Sequence, residues 1–503
     1  MNSDKGVGRK AVVGTLYIGV SQAVKVLVTI LSTVVVARLL NPVDFGIVAM
    51  VAPITGFILI FQNLGLNQAV VQSRTMTDTQ TDALFWINIG ASIAIGVVFI
   101  LLAPFVAAFY GDPRPGHMMA ASAATVLITG LSLQHTALLN RNLKFKQMSL
   151  ADIANSLTTL VVTTIAAYFL RSFWAIWIGS VAAAAVNALM VWSFSPWRPK
   201  LRFSLKGTRG LVTFGANITG FNLLNYLSRN IDNVLIAKVW GAAAVGLYDR
   251  SYKLMMFPIS NINAPFGRIM VPILSRLADQ PERYRRAYLM ATRSLMVFSV
   301  PAIWAAAATS DRLIPFLMGA RWAAASPIFF WLSLAAVTQP LSNSAGWLFI
   351  SSGRSGAMVR WGVYSSFITV GAIVSGLKWG PTGVAMAFFL SQTLKIPILY
   401  HMCVKGTAVT SRDLYGMMVV PGLAGAATIG AIRLLTPYVD HTLGLLVAAV
   451  VLSYALNLAG RAATADGRQE LRSLVELLRQ TLVERFGKPN VKPVQDGPRE
   501  WTP

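Results

Sequence analysis

Charge is what this chain has least of: Asp, Glu, Lys and Arg together make up 12% of its 503 residues, and acids are the scarcer sign, 19 against 43 basic residues. A globular domain carries about a quarter charged residues, so this composition excludes an ordinary soluble protein. One cysteine, Cys403, excludes an intrachain disulfide, and its place near the end of an apolar run makes it a packed thiol. The four histidines, His117, His135, His401 and His441, stand far apart without metal-site spacing. No nucleotide-binding loop is present, and no cofactor is expected. The alternating pattern of an outer-membrane barrel is also missing, and alanine and glycine are scattered through the apolar runs.

What is there is apolar surface, 55% of the chain. Runs of roughly twenty residues recur, each able to cross a ~30 Å hydrocarbon layer as a helix. Backbone groups in that layer must pair internally, which makes helices the expected form. Spans are expected near 11–38, 43–63, 82–108, 118–139, 150–170, 173–194, 210–237, 244–274, 287–308, 326–349, 358–377, 382–402, 414–434 and 441–460. The fold class is therefore an all-α polytopic membrane protein of about fourteen transmembrane helices. The first run, Ala11 to Val36, is too long for a signal-peptide core and is expected to remain as a span.

The net charge of +24 could mark a nucleic-acid binder, but the basic residues sit mainly in short loops between spans. That placement fixes topology during insertion, and no nucleic-acid partner is expected. Alternate loops from the N-terminus carry twenty Lys and Arg before the tail, against about seven on the other side, among them Arg38 and Lys238. Both termini are expected in the cytoplasm, in an inner membrane, with membrane lipids as neighbours. The longest outside loop runs only from about Thr309 to Pro327. A soluble active site has no room there, which argues against an enzyme.

The two halves repeat. ARLLNPVDFGIVAM (Ala37 to Met50) aligns with AKVWGAAAVGLYDR (Ala237 to Arg250) at an offset of 200, keeping Ala37/Ala237, Arg38/Lys238 and Gly46/Gly246. LSLQHTALLNRNLKFKQM (Leu131 to Met148) aligns with LSNSAGWLFISSGRSGAM (Leu341 to Met358) at an offset of 210. Six spans per half give repeats of like orientation, related by an axis along the membrane normal. The expected organisation is a six-helix lobe over 1–205, a second over 206–403, two extra spans over 404–460, and a cytoplasmic tail over 461–503. Glu470 to Phe486 is amphipathic in that tail and reads as a surface helix or a docking helix for a cytoplasmic partner.

The layout and the segments ARLLNPVDFG, LLNRNLKFKQ, NIDNVLIAKVWGAAAVGLYDRSYKL and LFISSGR resemble the polysaccharide transport family. That family holds Wzx-type oligosaccharide flippases, including colanic acid and succinoglycan exporters. It belongs to a superfamily, MOP, shared with MATE multidrug exporters and lipid II flippases. The resemblance covers roughly residues 5 to 460. It implies that the chain flips undecaprenyl-pyrophosphate-linked oligosaccharide repeat units to the periplasmic leaflet for exopolysaccharide or lipopolysaccharide synthesis. Polysaccharide polymerase and export machinery are the implied partners. A MATE-like cation-coupled exporter and a lipid II flippase are the alternatives.

Ionisable residues at membrane depth are costly and usually face a wet cavity or a partner. Lys25, Arg229, Asp232, Asp249, Arg250, Lys253, Arg268, Arg293 and Lys395 are placed there by the span limits, and seven of these nine are cationic. Such a cavity suits a pyrophosphate or acidic sugars, because Arg forks match phosphate oxygens. Each has a competing structural reading. Arg229 and Asp232, at i,i+3, can neutralise each other. Arg250, Lys253, Arg268, Arg293 and Lys395 can reach toward headgroups or surfaces, whereas Lys25 lies mid-span. Asn222 and Asn225, with Asn217, Asn230 and Asn233, give the seventh span an amide-rich wall that can bind hydroxyls or join helices. Tyr226, Tyr248 and Tyr252 are candidates for stacking on sugar rings.

Overall fold

A computed structural model describes residues 2–63, 77–201, 209–464, 467–468 and 472. Helix follows helix throughout: α1 (Asn2–Leu39), α2 (Pro42–Asn63), α3 (Asp78–Tyr110), α4 (Pro113–Arg141), α5 (Phe145–Leu170) and α6 (Trp174–Phe194) form a first group. The second consists of α7 (Arg209–Arg276), α8 (Pro281–Ala308), the short α9 (Ser310–Met318), α10 (Ser326–Val337), α11 (Gln339–Ser351), α12 (Ser355–Gly376) and α13 (Gly380–Val404). The last pair, α14 (Ser411–Leu435) and α15 (Thr442–Ala463), packs on α8. No strand occurs among the described residues.

Among the described residues twelve helical segments are long and apolar enough to cross a membrane. One of them, Ser355–Val404, contains both α12 and α13. The long α7 breaks at Gly241, whose φ of 78° is a left-handed conformation that a glycine adopts at little cost. Its two limbs run back on each other, since Tyr248 reaches Asp232 and Asn233 reaches Asp249 across the break. Counting α12, α13 and the two limbs separately brings the passes to fourteen, in line with the expected number. The amphipathic stretch 470–486 lies outside the described residues.

Helix ends follow local chemistry. Thr77 opens α3 and Thr410 opens α14 as capping boxes, each hydroxyl accepting from the third residue of the helix while that residue's side chain accepts from the cap. Gly111, with φ of 70°, closes α3 and returns a backbone N–H to Ala107. Asp112 then caps α4 and pairs with Arg114 at 2.6 Å; that hydrogen bond holds its carboxyl below the ordinary carboxylate range.

The two groups meet most closely where α2 crosses the second limb of α7. A Cβ on Gly46 would overlap the carbonyl of Ala242, and one on Gly246 would overlap the carbonyl of Pro42. Pro42 and Ala242, like Gly46 and Gly246, are separated by the repeat offset of 200. The contact is thus reciprocal, as a two-fold axis between like-oriented repeats demands. Small residues four apart on both helices let the backbones approach.

The α14–α15 pair docks differently. Ser453 and Tyr454 donate to the carbonyls of Pro301 and Phe298 on α8 at 2.9 and 2.6 Å, and Gly425 lies against the Trp304 ring. Gly425→Leu is expected to overpack this contact and cost about 1–3 kcal/mol, read as a lowered Tm in detergent. Gly430→Leu, on the same helix with open space around it, should leave Tm unchanged.

Candidate functional site

A cluster of charged side chains gathers around the α7 hairpin, at the boundary of the helix groups. Asp249 is their hub. Its carboxylate accepts from Asn233 Nδ2 at 3.2 Å, pairs with Lys253 Nζ at 2.8 Å and faces Arg250 Nε at 3.7 Å. One turn of helix separates Asp249 from Lys253, the spacing at which opposite charges on a helix meet. The acid is nearly enclosed, whereas the Lys253 side chain is 52% exposed. Arg250 crosses to the first helix group and sets its guanidinium carbon 4.1 Å from the centre of the Phe45 ring on α2. One acid therefore serves two cations at this boundary.

Asp232 is buried beside this cluster. It accepts from the Tyr248 hydroxyl at 3.0 Å, which fastens the two limbs of α7 together. Tyr248 is fully buried in doing so, so the expectation that it stacks on sugar is corrected: its phenol serves the hairpin. Tyr226 donates to the carbonyl of Ala52 across the helix groups at 3.0 Å. Tyr252 lies parallel to Tyr248 with its edge against Phe388. The side chains of Arg229, Asn222 and Asn225 lie outside the described residues.

The other predicted positions do not gather at this cluster. Lys25, which looked unpartnered in the sequence, pairs with Asp152 on α5 at 3.0 Å. At a separation of 127 positions, no local spacing rule could have joined the two. Lys395 is buried on α13 and donates to the hydroxyls of Ser365 and Thr369 on α12 at 3.2 and 2.8 Å. Its charge is met there by neutral oxygens, inside the second helix group and away from α2. Arg268 is exposed toward the C-terminal end of α7, and Arg293 is half-buried on α8. His135 is enclosed by the rings of Phe85, Trp192 and Trp197. Among the described residues no three His, Cys, Asp or Glu side chains form a metal site.

Helix groups joined along α2 and α7, with helices long and apolar enough to cross a membrane, define a polytopic membrane protein. A family model described as polysaccharide biosynthesis protein matches residues 35–327, and the chain belongs to that family. It is 22% identical over 409 residues to the lipopolysaccharide biosynthesis protein WzxC of Escherichia coli (strain K12), covering 81% of this chain and 83% of that one. To the succinoglycan biosynthesis transport protein ExoT of Rhizobium meliloti (strain 1021) it is 21% identical, covering 70% and 71%. Among solved structures, the lipid II flippase MurJ in an inward closed conformation superposes with a TM-score of 0.71 at 13% identity, covering 90% and 98%. An inward-facing multidrug resistance MATE transporter of the MOP superfamily gives 0.62 at 15% identity, covering 81% and 95%. The all-helical polytopic fold and the polysaccharide family expected from the sequence are those found.

Removing the hub should be felt more than removing a spoke. Asp249→Ala leaves Arg250 and Lys253 facing each other without their acid, at a general cost for a broken buried pair of about 3–5 kcal/mol. Lys253→Ala removes a half-exposed cation and is expected to cost less than 1 kcal/mol. Thermal unfolding in nanodiscs should rank the two in that order.

Proposed function

We propose that this chain flips undecaprenyl-pyrophosphate-linked oligosaccharide repeat units across the bacterial inner membrane. The observation that carries the reading is the charge cluster at the boundary of the two helix groups, where one carboxylate, Asp249, faces both Arg250 and Lys253. A cation at this depth is tolerated when it meets water or an anion, and a pyrophosphate headgroup supplies the anion. Membership of a polysaccharide biosynthesis family supports a glycan cargo, and the name of ExoT ties one relative to transport.

In this reading 1–205 and 206–403 act as lobes that rock about the α2–α7 contact. The excess of basic loop residues places both termini in the cytoplasm. The cavity opens inward, and Arg250 and Lys253, with Arg229 and the amides of Asn222 and Asn225, receive the phosphorylated glycan. Arg268 and Arg293 lie toward the cytoplasmic mouth and draw it in. The lipid tail stays in the bilayer at the gap between lobes. Lys25 and Asp152 hold α1 to α5, and Lys395 and Asp232 hold their own lobe.

The test is export complementation in a strain lacking the chain, which should lose its exopolysaccharide and accumulate inward-facing lipid-linked units. Arg250→Ala and Arg229→Ala should each lower export at least tenfold while inserting normally. Lys25→Ala should also lower it, with partial recovery in Lys25→Ala/Asp152→Ala because no lone carboxylate remains. Wild-type export from Arg250→Ala and Arg229→Ala would remove the cationic-cavity reading. Normal polysaccharide with raised drug sensitivity in the deletion strain would replace it with a drug exporter.

A further inference from the structure

The repeat contains a second matched pair whose roles the fold reveals. Arg38, at the end of α1, crosses to the second helix group and donates to the carbonyls of Phe316 and Leu317 at 2.5 and 3.2 Å. Lys238, its counterpart at the offset of 200, crosses the other way and donates to the carbonyl of Phe109, with its ammonium 4.9 Å from the centre of the Phe109 ring. Both acceptors belong to the last turn of a helix that a glycine ends. Leu317 precedes Gly319 (φ 96°) at the close of α9, and Phe109 precedes Gly111 (φ 70°) at the close of α3.

Last-turn carbonyls have no partner within their own helix and carry the negative end of its dipole. For Phe109 the deficiency is built into the sequence, because the residue four positions on is Pro113, which has no N–H to give. Each cation thus supplies the hydrogen bond that the opposite group's helix end lacks. Around the first of them Trp322 donates to the carbonyl of Ala37 at 2.8 Å, and Arg321 donates to Asn41 Oδ1 at 3.2 Å. All these contacts sit at the same end of the bundle as the Gly46/Gly246 crossing.

We infer that Arg38 and Lys238 are the two halves of a symmetric lock that holds this end of the molecule shut, each cation capping a helix terminus of the opposite lobe. The inference rests on the two-lobe cycle proposed above. Opening toward the outside breaks both caps and transfers the cations and the freed carbonyls to water, which satisfies each of them. The lock is therefore cheap to open once the glycine contact parts, and because one axis relates its halves, they release together.

Site-directed labelling tests the lock without reference to cargo. A reporter Ala242→Cys, in a Cys403→Ser background, sits in the crossing and should react slowly with a membrane-impermeant maleimide added to intact cells. Arg38→Gln and Lys238→Gln should each raise its labelling rate severalfold, and the double variant more than either. Arg38→Lys and Lys238→Arg, which keep a donor, should stay near the slow rate. Gly46→Val, which pushes the helices apart, should raise labelling with both cations intact.

A second reporter, Ala336→Cys, lies fully buried within the second lobe and should stay unlabelled in every variant. An unchanged rate in the double variant would overturn the lock, as would labelling that rises equally at both reporters, the mark of general loosening. If labelling behaves as expected while the deletion strain makes normal polysaccharide, the lock stands and the glycan-lipid cargo falls.

Discussion

Two helix backbones can touch only where neither interposes a side chain, and the fold depends on one such place. Gly46 lies against the carbonyl of Ala242, and Gly246 against that of Pro42. Because the two contacts are copies of each other, they define the axis relating the helix groups and the angle at which α2 meets α7. Everything at the boundary inherits its position from that crossing. It brings Phe45 beneath the Arg250 guanidinium and carries the ends of α1 and of the first limb of α7 to the terminal carbonyls of the opposite group.

The second organising constraint is the cost of charge in hydrocarbon. Three kinds of compensation appear. Lys25 has a carboxylate on a neighbouring helix, Lys395 has two hydroxyls, and Arg250 and Lys253 share a single acid. Lysine with neutral partners keeps its helix pair together, whereas a shared acid ties Arg250 and Lys253 to the limb of α7 that faces α2.

Much of the architecture was legible because a bilayer leaves few choices. Apolar length set the spans, and their limits agree with helices such as α4, α6 and α14 to within a few residues, since the hydrocarbon layer and the helix rise are both fixed quantities. The offset of 200 was visible in ARLLNPVDFG and AKVWGAAAVG, and it is carried into space by the glycine pair. Partners were not legible. Asp152, near the start of α5, neutralises the mid-span cation Lys25 from 127 positions away in the chain. Tyr248 read as a ring able to stack on sugar and is fully buried on Asp232, because the turn at Gly241 folds residues sixteen apart onto each other. Arg38 and Lys238 read as loop charges that orient the chain, and nothing in local composition tells an anchoring cation from one that caps a distant helix.

From sequence alone came the membrane class, the number of passes, the internal duplication and the positive balance, all of which follow from composition and periodicity along one dimension. Tertiary structure decided which charges pair, which stand at the boundary of the two groups and which close one end of the molecule. The reason is physical: hydropathy is a property of each residue, whereas compensation of a buried charge is a property of two residues, and only folding decides which two meet.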